Sequence, residues 1–87
     1  MTTPAKVQVR YFASLREALG SGEALDLEGA ITVAAVRDVL IARSSAHAQA
    51  LERSRAVRTA LNQTLCDETA LVADGAEIAF FPPVTGG

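Results

Sequence analysis

Cysteine and histidine are almost missing from this chain: Cys66 and His47 stand alone, one of each. A lone cysteine closes no internal disulfide, which fits a reducing compartment. The two residues form no metal-ligand set and a poor nucleophile–base pair, so Cys66 reads as a small apolar residue in or beside a strand. No stretch approaches the roughly 18 apolar residues of a membrane span. The opening MTTPAKVQVRYF lacks the apolar core of an export signal, so the expectation is a cytoplasmic protein with no membrane partner. Neither sign of charge dominates. Ten acidic against eight basic residues give a net charge of −2, which argues against nucleic acid as a partner. The basic residues Arg53, Arg55 and Arg58 adjoin Glu52 and read as a solvated face. Gly20-Ser21-Gly22 lacks the lysine and hydroxyl residue of a phosphate loop, and Asp67-Glu68 reads as a loop solvating itself. These gaps leave no catalytic constellation of the chain's own, no metal site and no bound cofactor to expect.

What is present points to a packed domain. The chain has 87 residues, 49% hydrophobic and 21% charged, enough to bury a core without staples. Residues 6–12 alternate, with Val7, Val9 and Tyr11 on one side and Lys6, Gln8, Arg10 and Phe12 on the other, so this is a half-buried strand. Phe12 breaks the pattern: it is either covered by the turn that follows or kept exposed for a partner. Residues 13–19 predict a short helix stopped by Gly20 and Gly22. Residues 23–27 predict a second strand, with Leu25 and Leu27 in phase, pairing with the first. Thr32 is the expected N-cap of the longest helix, residues 33–44. Val33, Val36 and Leu40 repeat there at helical spacing, and Arg37 and Asp38 mark the expected wet side. Residues 45–55 predict a short helical turn or loop, in which Leu51 is the only large apolar residue.

Residues 57–61 predict a third strand, turning through Asn62-Gln63 into residues 64–66. Residues 67–71 are expected to be loop, and Asp74-Gly75 a tight turn. Residues 77–81 give a last strand with Ile78 and Phe80 inside, which leaves Phe81, like Phe12, on the outer side. A long helix across one face of a mixed sheet is an α+β arrangement. The first and last strands are the most apolar and are expected side by side in the centre, in parallel. This is the ubiquitin-like β-grasp plan, with about five strands: residues 1–81 form the domain and 82–87 an extended tail.

The tail reads Pro82-Pro83-Val84-Thr85-Gly86-Gly87. The prolines favour an extended chain that stands away from the body. Two closing glycines make a thread thin enough for a narrow channel in another protein. At 3.3–3.6 Å per residue, residues 84–87 reach about 13–14 Å. The bland alternative is a frayed terminus, but the stretch before the tail is apolar and unlike a linker. The one reactive group is then the α-carboxylate of Gly87, ionised at neutral pH and a poor electrophile until activated, usually as an adenylate made from ATP.

The run ALNQTLCDETALVADGAEIAFFPPVTGG and the opening KVQVRYFASLREALG resemble the small, sulfur-carrier subunits of bacterial molybdopterin synthase, with FFPPVTGG the most specific part. The resemblance covers most of the chain. It implies a carrier whose terminal Gly87 is adenylated by a ubiquitin-activating-like adenylyltransferase and converted by a sulfur donor protein to a thiocarboxylate. The tail, with Gly86 easing its threading, would enter the large synthase subunit. There sulfur builds the dithiolene on cyclic pyranopterin monophosphate, within a heterotetramer. Phe12, Leu65 and Phe81, with the tail residues Pro82, Pro83, Val84 and Thr85, are the expected partner interface, and Arg16 a salt-sensitive addition. Such a subunit donates sulfur without an active site of its own. Ala76 departs from the acidic residue common after Asp74-Gly75, and residues 46–55 match nothing diagnostic; neither touches the tail. The alternatives are the related sulfur carrier for thiamine thiazole synthesis, usually shorter and rarely with Phe-Phe-Pro-Pro, and a ubiquitin-like modifier joined to lysines through Gly87.

Overall fold

A computed structural model describes residues 4–29, 31–52 and 54–83. Residues 84–87, and with them the expected threading tail, lie outside the described residues, as does Arg53. In chain order the elements are β1 (Pro4–Tyr11), α1 (Ser14–Leu19), β2 (Gly22–Glu28), β3 (Ile31–Thr32), α2 (Val33–Ile41), α3 (Ser45–Leu51), β4 (Arg58–Leu61), β5 (Thr64–Cys66), β6 (Leu71–Val72) and β7 (Glu77–Phe81). Five strands form one mixed sheet in the order β2-β1-β7-β4-β5, and β3 pairs with β6 in a small second sheet. The expected central pair is present: β1 and β7 run parallel, with Tyr11 opposite Phe80, while β2 and β4 flank them antiparallel.

Alternation along these strands separates two faces. Val7, Val9, Tyr11, Ile78 and Phe80 are buried, each at 1% exposure or less, beneath Leu15, Val33, Val36, Leu40 and Leu51 from the helices. Removing one such large side chain from water contributes about 1.5–3 kcal/mol. The turns follow local chemistry. Asn62 and Gln63 both take positive φ, the geometry of a two-residue hairpin between Leu61 and Thr64. Gly22 opens β2 where any Cβ would run into the Val9 carbonyl oxygen.

Several details differ from the sequence reading. Helix α2 begins at the Thr32 cap, whose hydroxyl accepts from the Ala35 N–H at 3.2 Å, but it ends at Ile41 rather than Ser44. Ser44 instead caps α3, accepting from the His47 N–H at 3.1 Å, so residues 45–51 form a helix of their own. Leu71, expected to end the 67–71 loop, instead begins a short strand with Val72 that pairs with β3 and places Val72 in the core.

Arg37 is the largest correction. It is 3% exposed, not on the wet side. Its guanidinium donates to the carbonyls of Leu51 (2.7 Å), Glu52 (2.7 Å) and Arg55 (3.1 Å), and pairs with Glu68 at 2.9 Å. One side chain thus fixes the connector between α3 and β4 and ties it to the 67–70 turn. Glu68 therefore does not merely solvate its loop.

A second, part-buried cluster docks α3 on the sheet edge. Glu23 of β2 accepts from the Tyr11 hydroxyl at 2.7 Å, contacts His47 Nε2 at 2.8 Å and pairs with Arg43 at 3.2 Å. Burial raises the Tyr11 phenol, and the hydrogen bond to the Glu23 carboxylate and its charge raise it further against a smaller pull from Arg43, so it stays a neutral donor. Burial alone would raise the Glu23 carboxyl too. Hydrogen bonds from His47 and Tyr11, with the charges of His47 and Arg43, more than offset this and hold it below its ordinary value.

Two outcomes follow for stability. Arg37→Met removes the donor from three carbonyls and breaks the pair with Glu68, and unfolding in urea should show a loss of about 3–5 kcal/mol; a loss below about 1 kcal/mol would show that the connector does not depend on it. For Glu23 the depressed folded pKa means a stabilising contribution present above about pH 4.5 and lost as pH falls through the folded value. Glu23→Gln should lower Tm at pH 7 and flatten the fall in Tm on acidification, measured by circular dichroism. Parallel Tm–pH curves for the two proteins would contradict this.

Candidate functional site

The outer face of the sheet is where the helices are not. Strand register lines up Arg10, Ala79, Ala60 and Leu65 across β1, β7, β4 and β5. Ala60 and Ala79 are 8% and 9% exposed, a shallow apolar floor, and Leu65 stands 69% exposed at its edge. At the end of the sheet from which β7 leaves, the Phe12 N–H donates to the Phe80 carbonyl at 3.1 Å, which sets Phe12 beside Phe81. Phe12 is 42% exposed, so of the two readings the turn does not cover it. Its ring lies 6.0 Å from the Arg10 guanidinium, and Arg10 also reaches Glu77 at 3.7 Å. Phe81 is half-buried beside its cross-strand partner Arg58, and Pro82 and Pro83 are half-buried as well.

The structure therefore brings Phe12, Leu65 and Phe81 onto one surface with the root of the tail. Arg16 is exposed on α1, which packs against α3 on the helical side, and is not part of that row. Val84, Thr85, Gly86 and Gly87 lie outside the described residues. The sequence reading missed Ala60 and Ala79. Their signal was the small size of two residues in register, visible only once the pairing of β4 with β7 is known. Cys66 is half-buried against the core margin, its sulfur 3.6 Å from the Thr59 hydroxyl. Among the described residues no group of three or more His, Cys, Asp or Glu is arranged to hold a metal, and no helix is long and apolar enough to cross a membrane.

This arrangement, exposed apolar side chains with a cationic edge at the end of β7, suits a partner contact. The comparisons agree with a small α+β protein of this plan. The chain is 44% identical, over 93% of its length and 99% of the relative's, to the molybdopterin synthase sulfur carrier subunit of Haemophilus influenzae. Among solved structures it is similar to small archaeal modifier protein 1 of Haloferax volcanii, with TM-score 0.73 and 30% identity over 92% of this chain and 99% of that one. It also resembles a chain in a complex of subunits 1 and 2 of the molybdopterin-converting factor from Helicobacter pylori, with TM-score 0.62 and 25% identity over 94% and 99%. The model of the ThiS family matches residues 9–87, all but the first eight residues, and the chain belongs to that family.

Proposed function

We propose that this protein is a sulfur carrier in molybdenum cofactor biosynthesis, working as the small subunit of a molybdopterin synthase in the cytoplasm. The observation that carries the proposal is the central parallel pairing of β1 and β7, which ends β7 next to Phe12 with Phe81 on the same outer face, and Leu65 on that face at the sheet edge. The name of the Haemophilus relative and the two-subunit complex of the Helicobacter one support it. On this reading the Gly87 carboxylate attacks the α-phosphate of ATP on an adenylyltransferase and releases pyrophosphate. Sulfur from a donor protein then attacks the Gly87 carbonyl carbon and displaces AMP; a sulfide-level donor leaves the thiocarboxylate directly, and a persulfide donor leaves an acyl disulfide that a thiol cleaves to it. The tail enters the large subunit, whose walls exclude water from a hydrolysis-prone group while its sulfur attacks cyclic pyranopterin monophosphate. The carrier's own residues grip the partner; the chemistry is done by the proteins that hold the tail. Two carriers at the ends of a large-subunit dimer give the heterotetramer.

A second reading has one observation behind it, the 30% identity to an archaeal modifier protein. Conjugation to lysines would use the same activated Gly87 and does not exclude sulfur transfer. Thiol-resistant ladders on denaturing gels of cell extract would reveal it.

Reconstitution tests the main reading. Thiocarboxylated protein mixed with a large subunit and the pterin precursor should yield molybdopterin, and deletion of Gly86 and Gly87 should abolish it. Gly87→Ala should slow transfer by up to about 100-fold through misplacement of the reacting group, with an unchanged Tm. Normal transfer by the deleted chain would sink the proposal. For the patch, Leu65→Ala and Phe81→Ala should each weaken large-subunit binding about tenfold in titration calorimetry, equivalent to about 1.4 kcal/mol. Leu65 is exposed, so its truncation should leave Tm nearly unchanged; an unaltered Kd for both variants would remove the patch from the interface.

A further inference from the structure

Where α3 meets β2, three side chains stand in line. The Ser44 hydroxyl lies 2.7 Å from Nδ1 of His47, and Nε2 of His47 lies 2.8 Å from Oε2 of Glu23. Register places Glu23 opposite the buried Val9, on the face of the sheet that the helices cover, so the line runs from the core margin to the surface. The side chains of Glu23 and His47 are 20% and 15% exposed, whereas Ser44 faces solvent.

Each member of the line is held. Oε2 of Glu23 also accepts from the Tyr11 hydroxyl at 2.7 Å, and Oε1 meets Arg43 at 3.2 Å. Both contacts favour the ionised carboxylate against the cost of burial, and an ionised carboxylate only accepts. Nε2 therefore carries the proton of that hydrogen bond. In the neutral imidazole this leaves Nδ1 as an acceptor aimed at the Ser44 hydroxyl. The Tyr11 ring packs edge-on to the imidazole with centroids 6.4 Å apart, which limits its rotation. Ser44 is fixed by its backbone, extended at φ −162° and ψ 166°, and its Oγ accepts from the His47 N–H at 3.1 Å. A helix cap needs only that last bond. An imidazole on the hydroxyl, with a carboxylate behind it, exceeds what capping requires.

We propose that Ser44, His47 and Glu23 form a serine–histidine–carboxylate relay, with Ser44 as the nucleophile toward small activated esters. The order hydroxyl, imidazole, carboxylate raises serine reactivity on unrelated folds and is recognised by geometry rather than by sequence position. Ser44 Oγ attacks the ester carbonyl carbon while its proton passes to Nδ1 of His47. Glu23 stays ionised and steadies the imidazolium. Collapse of the tetrahedral adduct breaks the ester C–O bond, and the proton on Nδ1 goes to the departing phenol or alcohol, leaving an O-acyl serine. Water then attacks the acyl carbon through the same imidazole, which releases the acid and restores the hydroxyl. Ser44 and His47 are the catalytic residues, and Glu23 is a positioning residue. Because Ser44 stands on an open surface, the leaving group decides the substrate: aryl esters react and peptides do not.

The test is acetylation of the full chain by p-nitrophenyl acetate, followed by peptide mapping. Ser45, exposed and adjacent, is the internal reference. Ser44 should be acetylated at least about 100-fold faster than Ser45, the effect of one positioned base, and His47→Gln should remove that advantage. Glu23→Gln should slow Ser44 at least about tenfold and shift the imidazole nitrogen resonances away from the tautomer protonated at Nε2, a signature that loosened packing alone does not produce. Amide spectra of the variants check that α3 is still formed. Acetylation of Ser44 no faster than of Ser45, or a rate that His47→Gln leaves unchanged, overturns the proposal and leaves Ser44 a helix cap. An unchanged rate and tautomer in Glu23→Gln removes Glu23 from the relay. Neither Gly87 nor a partner enters the assay, so its failure leaves the carrier reading untouched.

Discussion

The parallel contact between the first and last strands constrains everything else in this molecule. A parallel pair cannot be closed by a tight turn, so the chain between β1 and β7 must cross over and return. The crossing segments supply α1, α2 and α3, which cover the inner face, and β2, β4 and β5, which extend the sheet on both sides. Because β7 lies between β1 and β4, its backbone hydrogen bonds are taken up on both edges, and its end is fixed in position and direction. The end of β7 at Phe81 is therefore set by the sheet itself.

Two polar clusters hold the layers in the arrangement the pairing requires. Arg37 gathers the carbonyls of a connector that has no helix or strand to satisfy them, and Glu23 joins β2 to α3 through Tyr11, His47 and Arg43. Buried backbone carbonyls need partners wherever regular structure fails, and a guanidinium supplies several donors from one position. The connector so fixed carries Arg55 and leads into β4, so the buried arginine acts on the exit end of the sheet from the far side of the core. The two surfaces at that end have different characters. The sheet side offers Phe12, Phe81 and Leu65 over an alanine floor, and the helical side offers a groove with a single cation.

Much of this was legible in the sequence where one face is wet and the other dry. Alternation at residues 6–12 and 77–81 located both central strands, and the two phenylalanines that broke it, Phe12 and Phe81, lie on the outer side at the same end of the sheet. Arg37 was misplaced because its charge outweighed its position: four residues after Val33 and three before Leu40, it lies on the inner stripe of α2. The Glu23–His47 contact spans 24 positions in the chain, so no local pattern announces it. Helix α3 carries one large buried residue, Leu51, and its cap at Ser44 was absorbed into the preceding helix. The strand β6 has two residues, too few for a period to show. The tail expected at residues 84–87 lies outside the described residues, and the groove beside Pro82 depends on the register of β4 against β7, which no local pattern shows.

The place of β7 in the sheet also bears on synthesis. The central strand is the last of the described elements in chain order, so β1 and β4 each keep an open edge during synthesis until residues 77–81 emerge. A nascent chain cut short before that point has no middle to its sheet and exposes strands that invite aggregation or degradation. Closure of the sheet thus depends on residues 77–81, the stretch just before the two prolines.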